Sequence, residues 1–217
     1  MRAETKIAPM APAELLGDVH PLLEQLGSPE ELAVTGAAAA ALQYGRVTSE
    51  PALRRFLTAY RTQILVPVEL PVIVSAYQHA LRNELRELVA LDTRLADQPG
   101  LREFALASCR VGQRQLNKLR PLRDQRIVKR YLETIERGEA HGWHTLVYGL
   151  GLATFSLPLR QGLQNYAGQT MRGFIQSAAK SLRLSEAVCD VLVAEQTAEV
   201  PRSIELAIPA GAMLRVG

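Results

Sequence analysis

The chain has 217 residues and a mass of 23.8 kDa, a length typical of one domain with or without terminal extensions. Its 47% hydrophobic residues can fill a sizeable core, whereas a net charge of +3 is too small to indicate a nucleic-acid-binding protein. The cysteine content, two residues, excludes a disulfide framework, and no uninterrupted apolar run reaches the roughly 18 residues of a membrane span. The first residues lack the apolar core of a secretory leader, so we expect a soluble, cytoplasmic protein.

Helix signals recur along the chain, and strand signals are nearly absent. A first helix is predicted from Pro12 to about Leu26. Ser28 is the predicted N-cap of a second helix, which ends near Tyr44. The alanine run at 37–41 lies inside that second segment.

The next helices are predicted from capping residues and prolines. A capping hydroxyl within Thr48–Ala52 begins a third helix. Pro67 and Pro71 predict a break, after which residues 71–92 have the composition of one long helix. An amphipathic helix is predicted over 101–119.

The remaining helices include one that is apolar on every side. Residues 121–138 form the predicted helix before it, and residues 143–155 are the apolar one, which indicates a buried central helix. Gly149 within it is not followed by the Lys-Ser/Thr of a phosphate loop, so it indicates close helix packing. A long helix over 158–182 follows, and Ser185 is the predicted N-cap of the last one.

The fold class predicted from these elements is all-α, a single-domain bundle of about eight to ten helices. Residues 1–27 are predicted to be an N-terminal extension with a helix, and residues 28–198 the helical domain. Residues 199–217 hold little regular pattern and are predicted to be a tail that is flexible or ordered by a partner.

No set of residues has the spacing of a catalytic or metal site. His141 and His144 follow Glu139 closely, but no further ligand comes at a suitable spacing, so we interpret them as loop and helix-start residues. Cys109 and Cys189 have no neighbouring His or Cys-x-x-Cys partner and are interpreted as small buried hydrophobic residues. The sequence therefore predicts a protein that is not an enzyme and binds no metal or cofactor directly.

A basic stretch is the most suggestive feature for binding, because Asp124 is its only acid between residues 110 and 130. Its first three cations are spaced i, i+4, i+8 and four later ones recur every third residue, so each set can lie on one helical face. Three interpretations are open: a solvated face, a docking surface for an acidic partner, and a nucleic-acid site, which the scarcity of aromatic residues disfavours. The basic residues are Arg110, Arg114, Lys118, Arg120, Arg123, Arg126, Lys129 and Arg130.

The order of several segments resembles the UreF family of urease accessory proteins. YGRVTSEPALRRFL (44–57) is similar to that family's Gly-x-Val-x-(Asp/Ser)-Glu segment and following helix. VELPVIVSAYQHA (68–80) is similar to its Asp-Leu-Pro segment, with Glu69 in the place of the acid. REFALASCRVGQRQLNKL (102–119) resembles its Arg-Glu-x-x-x-x-Ser-x-x-x-Gly helix through Ser108 and Gly112.

Two further segments extend the resemblance to about residues 30–195. HTLVYGLGLATFSLPLRQGLQNY (144–166) resembles the family's His-x-x-Val-x-Gly segment with its later Pro-Leu. QSAAKSLRLSEAVCDVLV (176–193) occupies the place of its Ser-Ala-Ala segment and last helix.

The resemblance implies an all-α, non-enzymatic scaffold, usually dimeric. Members of the family bridge the GTPase UreG and the partner UreD, also called UreH, while nickel is delivered to urease. By this resemblance nickel is handled by the pathway rather than bound by this chain. The C-terminal segment of family members becomes ordered on the partner, which is an expectation for the tail here.

The chain departs from the family in two places associated with partner binding. Thr35 and Gly36 match the opening of a glycine-rich aromatic motif whose remainder is replaced by Ala37–Ala41. Ser185 and Glu186 stand where the family has Gly-Gln. These departures leave a retargeted paralogue as one alternative, and the basic stretch at 110–130 leaves a nucleic-acid-binding regulator as the other. The candidate partner-binding residues are Thr35, Gly36, Arg123, Arg126, Lys129, Arg130, Ser185 and Glu186.

Overall fold

A computed structural model describes residues 47–98, 101–120 and 126–213, and all regular structure within them is helical. This confirms the predicted all-α class. The described residues alone do not establish the predicted number of eight to ten helices, since two of the predicted helices fall in residues 1–46, outside the described residues. The elements in chain order are α1 (Glu50–Tyr60), a π-helical segment (Arg61–Glu69), α2 (Leu70–Leu81), α3 (Leu85–Ala96), α4 (Arg102–Lys118), α5 (Arg126–Glu136), α6 (His144–Thr154), α7 (Leu159–Leu182), α8 (Glu186–Thr197) and α9 (Val200–Met213).

The first elements form one continuous helix, from Glu50 to Leu81. Ser49 is its N-cap, and the Ser49 hydroxyl accepts a hydrogen bond from the Ala52 N–H at 3.4 Å. The break predicted at Pro67 and Pro71 is therefore wrong. Pro67 lies inside the π-helical segment without ending the helix, and Pro71 lies in the first turn of α2.

This continuous helix is also the one helix among the described residues that is long and apolar enough to cross a membrane by length and composition. Within its most apolar window, 67% of the residues are buried inside the protein. Such burial is the arrangement of a core helix, which has the same composition as a membrane span because it too is surrounded by apolar groups.

The helix predicted over residues 71–92 is interrupted after Leu81. Asn83 adopts a left-handed conformation with φ of 56°, which asparagine tolerates better than most residues. The Glu84 N–H then donates to the His79 carbonyl at 2.9 Å and closes the turn, so that α3 begins at Leu85. A positive φ at a non-glycine residue leaves no periodic signal, which is why the pattern predicted one helix.

Helix α6 lies at the centre and packs against α2 and α4. Every residue from His144 to Leu152 is buried, which confirms the prediction made from the apolar run. A Cβ added at Gly149 would lie 2.5 Å from the Ile73 carbonyl oxygen and 2.9 Å from the Ala76 Cβ. Gly149 therefore marks the point where α2 and α6 cross, as the sequence predicted.

The C-terminal region differs from the irregular tail predicted over 199–217. Val200–Met213 form helix α9, which packs against α2 and buries Val200 and Ile204. Pro201 hid this helix in the sequence pattern, yet it lies in the first turn, where a missing N–H removes no helical hydrogen bond. Helix α9 is thus part of the same packed body as α2.

Candidate partner-binding surface

The segment that leads into α6 is held by a buried carboxylate of α3. Asp92 is fully buried and accepts hydrogen bonds from the backbone N–H groups of His141, at 2.7 Å, and Gly142, at 2.8 Å. It also accepts one from the Tyr131 hydroxyl of α5 at 2.5 Å. A buried charge needs several such donors, and here they join α3, α5 and the start of α6 at one point.

Helix α4 is pressed against the same segment. A Cβ at Gly112 would lie 2.1 Å from the Gly142 carbonyl oxygen, so only glycine fits. The Ser108 hydroxyl accepts a hydrogen bond from the His144 N–H at 3.1 Å, and Gln113 donates through Nε2 to a carbonyl of this segment at 2.8 Å. These contacts fix the rotation of α4 about its axis and therefore decide which of its residues face the solvent.

With this rotation, α4 and α5 present their basic residues outward. The three cations of α4 are all exposed on one face, as their i, i+4, i+8 spacing predicted. On α5 the basic residues are exposed while Ile127, Val128 and Tyr131 are buried on the opposite side. We call the following exposed residues the basic surface: Arg110, Arg114, Lys118, Arg120, Arg126, Lys129 and Arg130.

The predicted set of cations at every third residue does not form one helical face. Helix α4 ends at Lys118, and Arg120 lies in the turn that follows. That turn is closed by tighter hydrogen bonds, including one from the Arg120 N–H to the Asn117 carbonyl at 3.2 Å. Lys129 belongs to α5, so the set is divided between two elements, and Arg123 lies outside the described residues.

The basic surface is only partly neutralised. Arg120 pairs with Glu136 at 2.5 Å and Lys129 with Glu133 at 4.0 Å, both in exposed positions where ion pairs contribute little. The surface therefore carries excess positive charge that a partner's carboxylates can neutralise. Four of its residues have no ion-pair partner among the described residues: Arg110, Lys118, Arg126 and Arg130.

The other candidate residues lie elsewhere. The Ser185 hydroxyl caps α8 by accepting from the Val188 N–H at 3.4 Å, and Glu186 is an exposed acid in the first turn. Both are well explained by the start of a helix that packs mainly on α7. Thr35 and Gly36 lie outside the described residues. Among the described candidate residues, the structure thus brings together Arg126, Lys129 and Arg130, whereas Ser185 and Glu186 lie at the start of α8.

The two histidines of HGWH lie in different surroundings. His141 is an exposed loop residue, whereas His144 is the first residue of α6 and is fully buried. The His144 ring centroid lies 6.0 Å from that of Tyr148 and 5.9 Å from that of Tyr166. The interpretation as loop and helix-start residues is confirmed. Within 47–98, 101–120 and 126–213, no group of three or more His, Cys, Asp and Glu residues could hold a metal ion.

The cysteines are free and partly rather than fully buried. Burial, and to a lesser extent the nearby charge of Asp92, raises the pKa of the Cys109 thiol to about 12. A thiol with so high a pKa is a poor nucleophile at neutral pH, since only the thiolate attacks.

One buried acid, Glu69, was identified in the sequence only by its place in the Asp-Leu-Pro segment and not as a candidate site residue. Glu69, in the π-helical segment, accepts a hydrogen bond from the Tyr60 hydroxyl at 2.9 Å. Burial raises the pKa of Glu69 to about 7, although the nearby hydroxyls of Tyr60 and Tyr166 act to lower it. The cavity beside it is about 20 Å³, too small for a substrate. A lone acid within the apolar run QILVPVELPVIV was the available signal.

Comparison with known proteins agrees with this architecture. The UreF family model matches residues 47–195, from just before α1 to near the end of α8. The urease accessory protein UreF of Sporosarcina pasteurii is 21% identical over 145 residues, which cover 67% of this chain and 72% of that protein. The match includes Asp92, Ser108 and Gly112, which fix the start of α6, and it ends before α9. The chain therefore belongs to the UreF family.

Proposed function

We propose that this protein is a non-enzymatic scaffold for urease assembly that bridges a UreG-type GTPase and a UreD/UreH-type protein during nickel insertion. The observation that carries the proposal is the family match, which covers almost the whole helical body around α6. The buried polar groups of that body support a scaffold, since Asp92 and Ser108 bind backbone groups of the chain itself.

The proposal includes a cytoplasmic homodimer, the state usual in the family. Nickel is handled by the pathway, and this chain contributes surfaces rather than ligands. The excess positive charge of the basic surface favours a partner with an acidic face, since complementary charge speeds association and selects partners.

Co-purification tests the proposal directly. A tagged chain is co-expressed with the UreG-type and UreD/UreH-type proteins of its own host, and we expect both to elute with it. Light scattering of the purified chain checks the dimer. In the host, we expect deletion of the gene to abolish urease activation and the wild-type gene to restore it. Recovery of neither protein, with unchanged urease activation, would contradict the proposal.

The nucleic-acid alternative has its own measurement. A regulator that binds DNA or RNA through the basic surface would show retention that falls steeply with salt and is lost in Arg126→Glu/Arg130→Glu. Under the proposed function, we expect any retention of nucleic acid to be weak and without a sequence preference.

A further inference from the structure

We infer that the outward side of α4 is a groove that binds an acidic, helical segment of a partner protein. This inference rests on the proposed function only for the identity of the partner. The site and the chemistry of its occupant follow from the described residues of α4.

The groove is an open hollow along the outer face of α4, with a volume of about 520 Å³. Its lining residues recur at i, i+3, i+4, i+7, i+8 and i+11, the spacing of a single face of an α-helix. One continuous stripe of side chains therefore forms its floor. The lining residues are Leu106, Cys109, Arg110, Gln113, Arg114 and Asn117.

The charges of the groove repeat at a fixed distance. Arg110 and Arg114 line it and Lys118 continues the row, so that successive cations are about 6 Å apart along the axis. A partner helix with a carboxylate at every fourth residue repeats at the same distance. No acidic residue follows Glu103 in α4, so the helix itself offers Arg110 and Lys118 no carboxylate beyond that position.

An exposed apolar side chain distinguishes this groove from a purely ionic surface. Leu106 is 74% exposed and lies one turn before Arg110, beside the partly buried Cys109. An aliphatic contact at this end suits a side chain of a protein segment and adds nothing to binding a phosphate backbone. None of the described residues that line the groove is aromatic, so none of these side chains stacks on a base.

The floor of the groove is held rigidly from behind. Gly112 and Ser108 contact the backbone that leads into α6, and Gln113 uses its amide N–H on that same segment. Asn117 donates to the Gln113 carbonyl at 2.9 Å. A groove that is already ordered binds its occupant with a smaller loss of conformational freedom.

Fluorescence anisotropy with the full chain tests the inference. The probe is a fluorescein-labelled peptide of about 18 residues, or five helical turns, with glutamate at every fourth position and one leucine beyond the end of the glutamate row. We expect binding that weakens with salt. Arg110→Glu/Arg114→Glu should weaken it about tenfold or more, and Leu106→Ser about threefold, with helical circular dichroism unchanged.

The matched control carries the same charge change on another helix. Arg172 and Lys180 are exposed on α7, and Arg172→Glu/Lys180→Glu should bind the peptide within about twofold of the wild type. If this control weakens peptide binding equally, the loss in Arg110→Glu/Arg114→Glu reflects general charge attraction, and the inferred binding site is rejected. Equal binding of a scrambled peptide would overturn the helical register. If a DNA duplex binds more tightly than the peptide and is weakened by the same variants, the ligand of the groove is nucleic acid and not a protein segment.

The result separates the groove from the proposed function. If the wild-type chain retains its accessory proteins but does not bind the peptide, the groove is rejected and the scaffold function stands. If the peptide binds in the groove and neither accessory protein co-purifies, the scaffold function fails alone.

Discussion

Helices α6 and α8 have nearly the same length, 11 and 12 residues, and both are rich in apolar side chains. They differ in burial: α6 buries all nine residues from His144 to Leu152, whereas α8 buries Leu192 and Gln196 and leaves Val191 51% exposed. The neighbours explain the difference. Helix α6 packs against both α2 and α4, while α8 packs mainly on α7. Apolar composition alone therefore does not determine how deeply a helix is buried.

The position of glycines accounts for how closely the neighbouring backbones approach α6. Gly149 lets the backbone of α2 approach α6, and Gly112 lets α4 approach the start of α6 from another side. Helix α8 contains no glycine. Its side chains keep neighbouring backbones at ordinary distances, and its outer face stays in solvent.

Gly149→Leu should destabilise the protein most, because it prevents the close approach of α2 to α6. Even a Cβ would meet the Ile73 carbonyl oxygen at 2.5 Å, and backbone cannot move as a flexible side chain can. We expect a loss of at least about 3 kcal/mol in the free energy of unfolding, measured by urea denaturation. The matched control is Gly168→Ala on α7, where an added Cβ meets nothing within 4 Å.

That control should stabilise the protein by about 0.5 kcal/mol, since alanine is the better helix former and meets no steric obstacle. If Gly149→Leu leaves the midpoint of denaturation unchanged, close approach at Gly149 is not what holds α2 against α6. A loss in both variants would instead point to a general intolerance of larger residues at helix glycines.

The second prediction concerns Glu69, which lies in the same long helix that packs on α6. Its pKa is raised to about 7 in the folded protein, above the ordinary value near 4.5, so the folded state binds the extra proton between these values. Its contribution to stability is therefore greatest at low pH and is lost as the pH rises through 7. From pH 5 to pH 8 we expect a loss of about 2 kcal/mol in the free energy of unfolding.

Glu69→Gln removes the titrating group while keeping its size. We expect the variant to be more stable than the wild type at pH 8 and to lose most of this pH dependence, as measured by chemical denaturation at several pH values. Glu186→Gln, an exposed acid on α8, is the control and should leave the pH dependence unchanged. A wild-type protein equally stable at pH 5 and pH 8 would place the Glu69 carboxyl in a better solvated site.

Much of the fold could be predicted because its signals are local. The apolar run of α6 and the cap at Ser185 depend on neighbouring residues, and both predictions are confirmed. Pro67 shows where local signals end. The proline is exposed and lies within a continuous helix whose opposite side buries Ile64 and Leu65, a tertiary context that a local pattern does not contain.

The candidate surface was predictable only in part, because helix rotation is set by distant contacts. The α4 cations share a face by their spacing, which the sequence shows directly. That this face points outward follows from Gly112 and Asp92, whose partners lie some 30 to 50 residues along the chain. In the segment LRELVALDTRLA, Asp92 looks like an ordinary surface acid. Its burial is explained by three donors distant in sequence: the N–H groups of His141 and Gly142 and the hydroxyl of Tyr131.

The smallest expected effect belongs to the exposed side of α8. Val191→Ala should change the free energy of unfolding by less than about 0.5 kcal/mol, because half of that side chain already lies in solvent and alanine favours the helix. The same change at Val147 of α6, which is 1% exposed, should cost about 2 kcal/mol through the cavity it leaves. Urea denaturation of the two variants compares the helices with identical chemistry. Similar losses would mean that α8 is enclosed in solution as α6 is, by a second copy of the chain or by residues outside the described part, and the concentration dependence of the Val191→Ala loss would separate these two cases.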